Sequence, residues 1–175
     1  MHQEAEVRIE TVLPSYKKAE VIKSLLSVHP YEEPVYDLYP IVNLWMQAGA
    51  GVTGYLEKPE AELDFLKRIK QLFNVGCLKH NEPSGRLIQK VALCGGAGAF
   101  LLPQAICSKA DVFITGEMKY HDYFGHEDDI LIAEIGHYES EQYANDIIHF
   151  VIRDRFINSC EIHISKTDTN PIKYL

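Results

Sequence analysis

The stretch ILIAEIGHYESE, residues 130–141, joins the pattern of a buried strand to two polar side chains at helical spacing. Its first seven residues are apolar at almost every position, as in a strand that is covered on both faces of its sheet. His137 and Glu141 follow, and residues four apart lie on one face of a helix, one turn from each other. The stretch predicts a core strand whose end carries a polar pair.

Two further apolar runs indicate that this strand belongs to a parallel sheet. VALCG (91–95) and DVFITG (111–116) are nearly continuous apolar runs, and helical segments separate them from each other and from residues 130–136. This alternation is typical of an α/β lobe with a mostly parallel sheet. A last helix is predicted over 139–156 and a last strand, CEIHIS, over 160–165. The helix residues expected to face inward are Ala144, Ile147, Ile148, Val151 and Ile152.

Residues 1–82 have a different pattern, that of a small α+β domain. Strands are predicted over 6–13, 35–41, 49–56 and 75–80, and helices over 16–28 and 59–73. The order strand, helix, strand, strand, helix, strand is that of a ferredoxin-like sandwich. The polar segment NEPSGR, with Pro and Gly, is the best boundary in the chain. We therefore predict two domains, residues 1–82 and residues 83–175.

Composition excludes several classes of function. The chain has 175 residues, 46% of them hydrophobic, and a formal net charge of −8, with no Lys/Arg run that would bind nucleic acid. The sequence contains no apolar stretch of the roughly 20 residues needed to span a membrane, and no signal peptide is expected, because residues 1–10 have no apolar core segment of that kind. A cytoplasmic protein is expected. Without a CxxC pair, the cysteines are expected to be free structural thiols: Cys77, Cys94, Cys107 and Cys160.

Polar or glycine-rich segments follow all three buried runs. The carboxyl ends of parallel strands meet at one sheet edge, where α/β proteins bind ligands, so these segments are expected to converge. The first, CGGAGAF (94–100), is either an anion-binding loop or a tight strand-to-helix turn, because its dinucleotide fingerprint is incomplete. In the second, TGEMKYH (115–121), Glu117 and His121 could face the site or face water.

The third segment has the sharpest pattern. Imidazole nitrogen and carboxylate oxygen are both metal ligands, and His137 and Glu141 supply one of each. The alternative is structural: Glu139 or Ser140 helps to start a helix, and the HxxxE pair binds nothing. The residues alone leave this choice open.

Several of these motifs resemble a known family. KVALCGGAGAFLLPQAICSKADVFITGEMKYHD (90–122), LIAEIGHYESE (131–141) and HISKTDTNPIKYL (163–175) resemble the C-terminal lobe of the GTP cyclohydrolase 1 type 2 homologues, also called Nif-three-like proteins. VHPYEEPVYDLYP (28–40) and GAGVTGYL (49–56) resemble a PII/CutA-like domain that some bacterial members insert between two lobes. The fold implied is a ferredoxin-like (PII/CutA-like) domain followed by a mostly parallel α/β lobe of the Nif-three-like fold.

The resemblance also implies a metal site and an assembly. Members of this family hold two divalent ions, zinc, iron or manganese, and a GH...E segment that matches His137 and Glu141 supplies the last two protein ligands. By their position after the second buried run, and not from the resemblance, Glu117, Lys119 and His121 are the candidates to orient a substrate or move protons nearby. The family's paired histidines belong to an N-terminal lobe, and the sequence contains no HH pair. The sequence therefore looks like the C-terminal half of such a protein. The expected partners are the missing N-terminal lobe and further copies of the protein in a ring-shaped hexamer.

Three possible functions from different classes follow from these expectations. The first is part of a metal-dependent hydrolase or cyclohydrolase on a nucleotide-like substrate, weak or inactive without the missing ligands, since a two-metal site needs several of them. The second is a binding or regulatory module in which residues 1–82 mediate oligomerisation or sense a small ligand and the metal serves assembly. The third is a plain structural assembly unit. No nucleic-acid or membrane partner is expected.

Overall fold

The chain divides into two compact units in a computed structural model that describes residues 7–43, 48–156 and 161–175. The smaller unit ends at residue 44 and the larger begins at residue 45. Within the described residues, no helix has the length and apolar character that a membrane span requires.

A mixed five-stranded sheet forms the centre of the larger unit. In chain order its strands are β1 (Val52–Ala61), β2 (Lys79–His80), β3 (Leu87–Cys94), β4 (Val112–Thr115) and β5 (Leu131–Glu134). Across the sheet the order is β1-β3-β4-β5-β2, in which β3, β4 and β5 are parallel and each edge strand is antiparallel. The predicted parallel centre of the sheet is confirmed.

Helices cover both faces of this sheet. The described residues form α1 (Lys18–Val28) in the smaller unit, and α2 (Glu62–Leu72), α3 (Leu102–Cys107), α4 (His137–Glu141) and α5 (Ala144–Arg155) in the larger one. Successive strand residues point to opposite faces. One face packs on α2 through Phe65, Leu66, Ile69, Val112, Ile114, Leu131 and Ala133. The other packs on α3 through Leu102, Ala105, Phe113, Ile130 and Ile132. Burial on both faces explains the continuous apolar runs.

The start of α2 is fixed by a buried carboxylate. Glu62, in the first turn, accepts hydrogen bonds from Ser84 N and Oγ at 3.3 and 3.0 Å and from Gly85 N at 2.6 Å. A negative charge at a helix N-terminus also interacts favourably with the helix dipole. The helix begins at Glu62, so the predicted start at Pro59 is three residues early. Pro59 still lies in β1.

The strands predicted in the smaller unit are wrong. Residues 7–13 and 35–41 form no strand, and Val7 and Val35 are 88% and 95% exposed. A strand needs a hydrogen-bonded neighbour, and the segment expected beside them instead forms β1, which pairs with β3 from Val52↔Leu93 to Ala61↔Leu87. The compact units divide at residue 44, and the domain boundary at residue 82 stays a prediction. The ferredoxin-like, PII/CutA-like fold of residues 1–82 stays a prediction.

Two predictions for the C-terminal region also differ from the structure. The helix expected over 139–156 is broken into α4 and α5, and Ile147, Ile148 and Val151 of α5 are 53–63% exposed. These residues do not face the core, because α2 and α3 already cover the sheet. Residues 161–165 form no strand, since β1 and β2 occupy the two sheet edges. Residue 160 lies outside the described residues.

Candidate metal site

The three segments that follow β3, β4 and β5 meet at Gly96. Its carbonyl oxygen accepts hydrogen bonds from Gly116 N at 3.0 Å and Glu117 N at 3.1 Å. Its own N–H donates to Ser140 Oγ at 2.9 Å, and Ser140 Oγ donates to the carbonyl oxygen of His137 at 2.8 Å. A continuous hydrogen-bonded path therefore fixes the backbones of these segments at the carboxyl edge of the sheet. The predicted convergence is present.

His137 lies between two carboxylates at this edge. It is the first residue of α4, and its Nδ1 is 2.9 Å from Glu117 Oε1. Its Nε2 is 3.3 Å from Oε2 of Glu141, one turn along the same helix. All three side chains are about half exposed, at 43%, 55% and 54% for His137, Glu117 and Glu141. Two carboxylates exceed the charge that one imidazole can carry, so the cluster favours a cation.

Gly96 leaves room for this pair. A Cβ atom at residue 96 would lie 2.5 Å from Glu141 Oε1 and 3.3 Å from His137 Nε2. The backbone there has a φ of +61°, which favours glycine. The glycine-rich turn after β3 therefore has a steric function: it lets the backbone approach the two polar side chains closely. The sequence left open whether this turn binds an anion.

The other candidates lie apart from the pair. Lys119 and His121 make their contacts within the turn 119–124: Lys119 N donates to Asp122 Oδ2 at 3.1 Å, and the His121 ring centroid lies 5.4 Å from that of Tyr120. The structure therefore brings together Glu117, His137 and Glu141 but not Lys119 or His121. Ser140, which ties α4 to Gly96, was expected only as a possible helix-start residue, and no spacing signal reveals its tertiary contact.

A sequence comparison now decides the family. The model of the Duf34/NIF3 (NGG1p interacting factor 3) family matches residues 5–171, almost the entire chain. The chain belongs to the Duf34/NIF3 family. A "GTP cyclohydrolase 1 type 2 homolog" of Halalkalibacterium halodurans is 30% identical over 174 residues, which are 97% of this chain and 46% of that protein. The Bacillus subtilis protein of the same name is 29% identical over 177 residues.

Solved structures agree with the membership in the Duf34/NIF3 family. The Staphylococcus aureus protein SA1388 superposes with a TM-score of 0.73 at 27% identity, over 95% of this chain and 55% of that one. A Bacillus cereus protein related to NIF3 gives a TM-score of 0.69 at 29% identity, over 93% and 46% of the two chains. This Duf34/NIF3 chain spans about half the length of the curated relatives that it matches.

His137 and Glu141 have the chemistry and the spacing to hold part of a metal site. Zinc ligands of the imidazole and carboxylate types lie about 2.0 to 2.2 Å from the ion, so two such atoms 3.3 Å apart can share one ion. The space that a Cβ at Gly96 would fill adjoins both. Within the described ranges, however, no group of three or more His, Cys, Asp or Glu side chains is arranged to hold a metal. Among the described residues, His137 and Glu141 are thus two candidate ligands rather than a complete set.

Cys94, at the end of β3, does not add a third ligand. It is buried, and its Sγ donates to the carbonyl oxygen of Ala50 at 3.2 Å. Burial, with a smaller contribution from the charge of Glu141, raises the pKa of its thiol. Its contact with the backbone of Ala50 is that of a structural thiol. Cys77 and Cys107 are also free, and Cys160 lies outside the described residues.

A second polar cluster lies at the end of β5. Glu134, 7% exposed, accepts hydrogen bonds from Tyr123 Oη at 2.6 Å and Lys79 Nζ at 2.5 Å. Burial and then this hydrogen bond raise the pKa of Tyr123. The hydrogen bond to Glu134 raises the pKa of Lys79. Because both pKa values are raised, the folded state holds the protons of Tyr123 and Lys79 more tightly than the unfolded state. Their contribution to the free energy of unfolding is therefore present at neutral pH and is lost as the pH rises above about 10.

Tyr123→Phe is therefore expected to have a pH-dependent cost. Near pH 7 the variant should lose about 1 to 3 kcal/mol of unfolding free energy, because the buried carboxylate of Glu134 loses a donor. Above pH 10 the difference in unfolding free energy between the variant and the wild type should shrink, since the wild type then loses the contribution of the Tyr123 proton. Urea unfolding at several pH values measures this. Tyr120→Phe is the control, because Tyr120 is 73% exposed. A cost of Tyr123→Phe that stays constant with pH would contradict the raised pKa of Tyr123.

Proposed function

We propose that this chain supplies two ligands, His137 Nε2 and the Glu141 carboxylate, to a divalent-metal site in a protein of the Duf34/NIF3 family. The 3.3 Å approach of these two groups on one helical turn carries the proposal. Zinc, iron and manganese all accept imidazole and carboxylate ligands. The excess of carboxylate over imidazole in the cluster supports a cation rather than an anion at this sheet edge.

The proposal extends to a two-metal centre that is completed by residues outside this chain. Two ions about 3.5 to 4 Å apart need several bridging and terminal ligands, and two side chains cannot provide them. The relatives named "GTP cyclohydrolase 1 type 2 homolog" are about twice as long. We infer that a further lobe supplies the missing ligands. The protein is also proposed to assemble as a ring-shaped hexamer in the cytoplasm.

The reaction that fits this site best is metal-dependent hydrolysis of a nucleotide-like substrate. A bound divalent ion supplies Lewis acidity, which stabilises negative charge on a substrate oxygen. His137 and Glu141 hold the ion at the sheet edge, and Glu117 holds the proton on Nδ1 of His137. Because this chain offers two ligands, its own hydrolytic activity should be weak or absent. Neither Lys119 nor His121 contacts His137 or Glu141, so we propose no role for either residue.

Metal titration of the chain tests the proposal. Competition of zinc and manganese with a chromophoric chelator should give weak binding to the wild type, and His137→Ala and Glu141→Ala should each weaken it by about tenfold or more, equivalent to about 1.4 kcal/mol. His163→Ala is the matched control, because His163 Nε2 also lies near a glutamate, 3.0 Å from Glu161 Oε1, but in an exposed segment. Equal affinities for all four proteins would contradict the assignment of His137 and Glu141.

A further inference from the structure

The contact between Glu117 and His137 has a consequence for the chemical state of the imidazole ring. A neutral imidazole carries its hydrogen on one nitrogen and a lone pair on the other, and only the lone pair binds a metal. An ionised carboxylate only accepts hydrogen bonds. Two carboxylates, Glu117 and Glu141, therefore compete for the one ring hydrogen of His137, and the nitrogen that loses the competition is the one available as a ligand.

The geometry favours Glu117 in this competition. Its Oε1 is 2.9 Å from Nδ1, the usual length of an N–H···O hydrogen bond, whereas Glu141 Oε2 is 3.3 Å from Nε2. In the neutral ring this geometry favours the hydrogen on Nδ1, which leaves the lone pair of Nε2 on the side of Glu141. Carboxylate partners that fix the tautomer and the ring orientation in this way are common beside metal-bound histidines.

The backbone holds Glu117 in place for this contact. Its N–H donates to the carbonyl oxygen of Gly96 at 3.1 Å, and Gly96 is bonded through Ser140 to the backbone of His137. The two side chains thus project from segments that share one set of hydrogen bonds. Thr115 strengthens the same connection, because its Oγ1 donates to Gly96 O at 3.3 Å and accepts from Gly98 N at 3.1 Å.

We propose that Glu117 is a positioning residue that holds His137 in the Nδ1–H tautomer and so presents Nε2, together with Glu141, to the metal. The inference rests on the proposed function for its purpose, but the tautomer is a property of the metal-free chain. Loss of the Glu117 charge removes the advantage of Nδ1. The hydrogen then moves to Nε2 and is donated to Glu141, which blocks the ligand nitrogen.

Long-range ¹H–¹⁵N correlation spectra of the metal-free chain test the tautomer directly. At a pH at which the ring carries a single hydrogen, His137 of the wild type should be protonated at Nδ1. In Glu117→Gln the population should move toward protonation at Nε2, because the amide of Gln can also donate to Nδ1. Glu141→Gln should retain the Nδ1–H form. Lys119→Ala, two residues from Glu117 but with no contact to His137, should leave the spectrum of the His137 ring unchanged.

Zinc affinity of the same proteins supplies the second measurement. Glu117→Gln should weaken zinc binding by about 10- to 100-fold, the usual effect of removing such a partner, without a change in melting temperature, because Glu117 is 55% exposed. A wild-type ring protonated at Nε2, or a variant with unchanged tautomer or affinity, would overturn the inference. If the wild type bound no zinc, the proposed function would fail, and the spectra alone would decide the role of Glu117.

Discussion

Gly116→Ala is expected to lower the free energy of unfolding by about 3 kcal/mol. A Cβ at residue 116 would lie 2.6 Å from Ser140 Oγ, 2.7 Å from the carbonyl oxygen of Gly96 and 2.9 Å from Cα of His137. Two of these atoms belong to the backbone, on two different segments, so a rotation of a side chain cannot relieve the contact. The substitution must separate the segments that meet at the carboxyl edge of the sheet.

Gly54→Ala is the matched control for this experiment. Gly54 lies in β1, and a Cβ there would meet no atom within 4 Å. Alanine is also the better residue inside a strand, so this variant should be unchanged or more stable by up to about 1 kcal/mol. Urea unfolding with a constant m-value compares the two. Equal stabilities of the two variants would mean that Gly96, Gly116 and His137 do not approach as closely as described.

The sequence was sufficient to predict the parallel centre of the sheet because its signal is local. A strand buried on both faces must be apolar at successive positions, and the runs around β3, β4 and β5 have this property. The meeting of the following segments then follows from topology, because parallel strands end at the same edge. His137 and Glu141 could be paired from spacing alone, because they lie on one helix, α4. Their metal binding stays a prediction.

Contacts between segments were not predictable in this way. Glu117 and His121 are four residues apart, but residues 117–119 are not helical, so this spacing does not place the two side chains on one face. Glu117 reaches His137 because its N–H bonds to Gly96, twenty-one residues earlier in the chain. A periodic pattern identifies a polar side chain near a site, whereas its partner depends on backbone geometry after the strand.

Alternation also failed to identify the partner of a strand. The segment 49–56 has strand character, and the structure extends it to Ala61 as β1, but its partner is β3 rather than another segment of residues 1–82. A period of two specifies which side chains share a face and carries no information about the neighbouring strand. The apolar pattern of α5 has the same limit: it predicts a covered face without specifying which element covers it.

Phe113→Ala is expected to cost about 3 to 5 kcal/mol, the largest effect of any single substitution considered for this chain. Phe113 lies on the central strand β4, is 1% exposed and packs in the cluster of α3. Truncation leaves a cavity between the sheet and α3, and neighbours on a central strand cannot close it without breaking hydrogen bonds to β3 and β5. Chemical unfolding of the wild type and the variant measures the loss.

Phe150→Ala provides the matched comparison, since the same atoms are removed from α5 at a position that is 60% exposed. Its cost should be below about 1 kcal/mol, because little apolar surface leaves water at Phe150 when the chain folds. A loss as large as that of Phe113→Ala would mean that the apolar face of α5 is covered in solution. Sedimentation of both variants shows whether the chains associate. If association covers this face of α5, the free energy of unfolding should also depend on protein concentration.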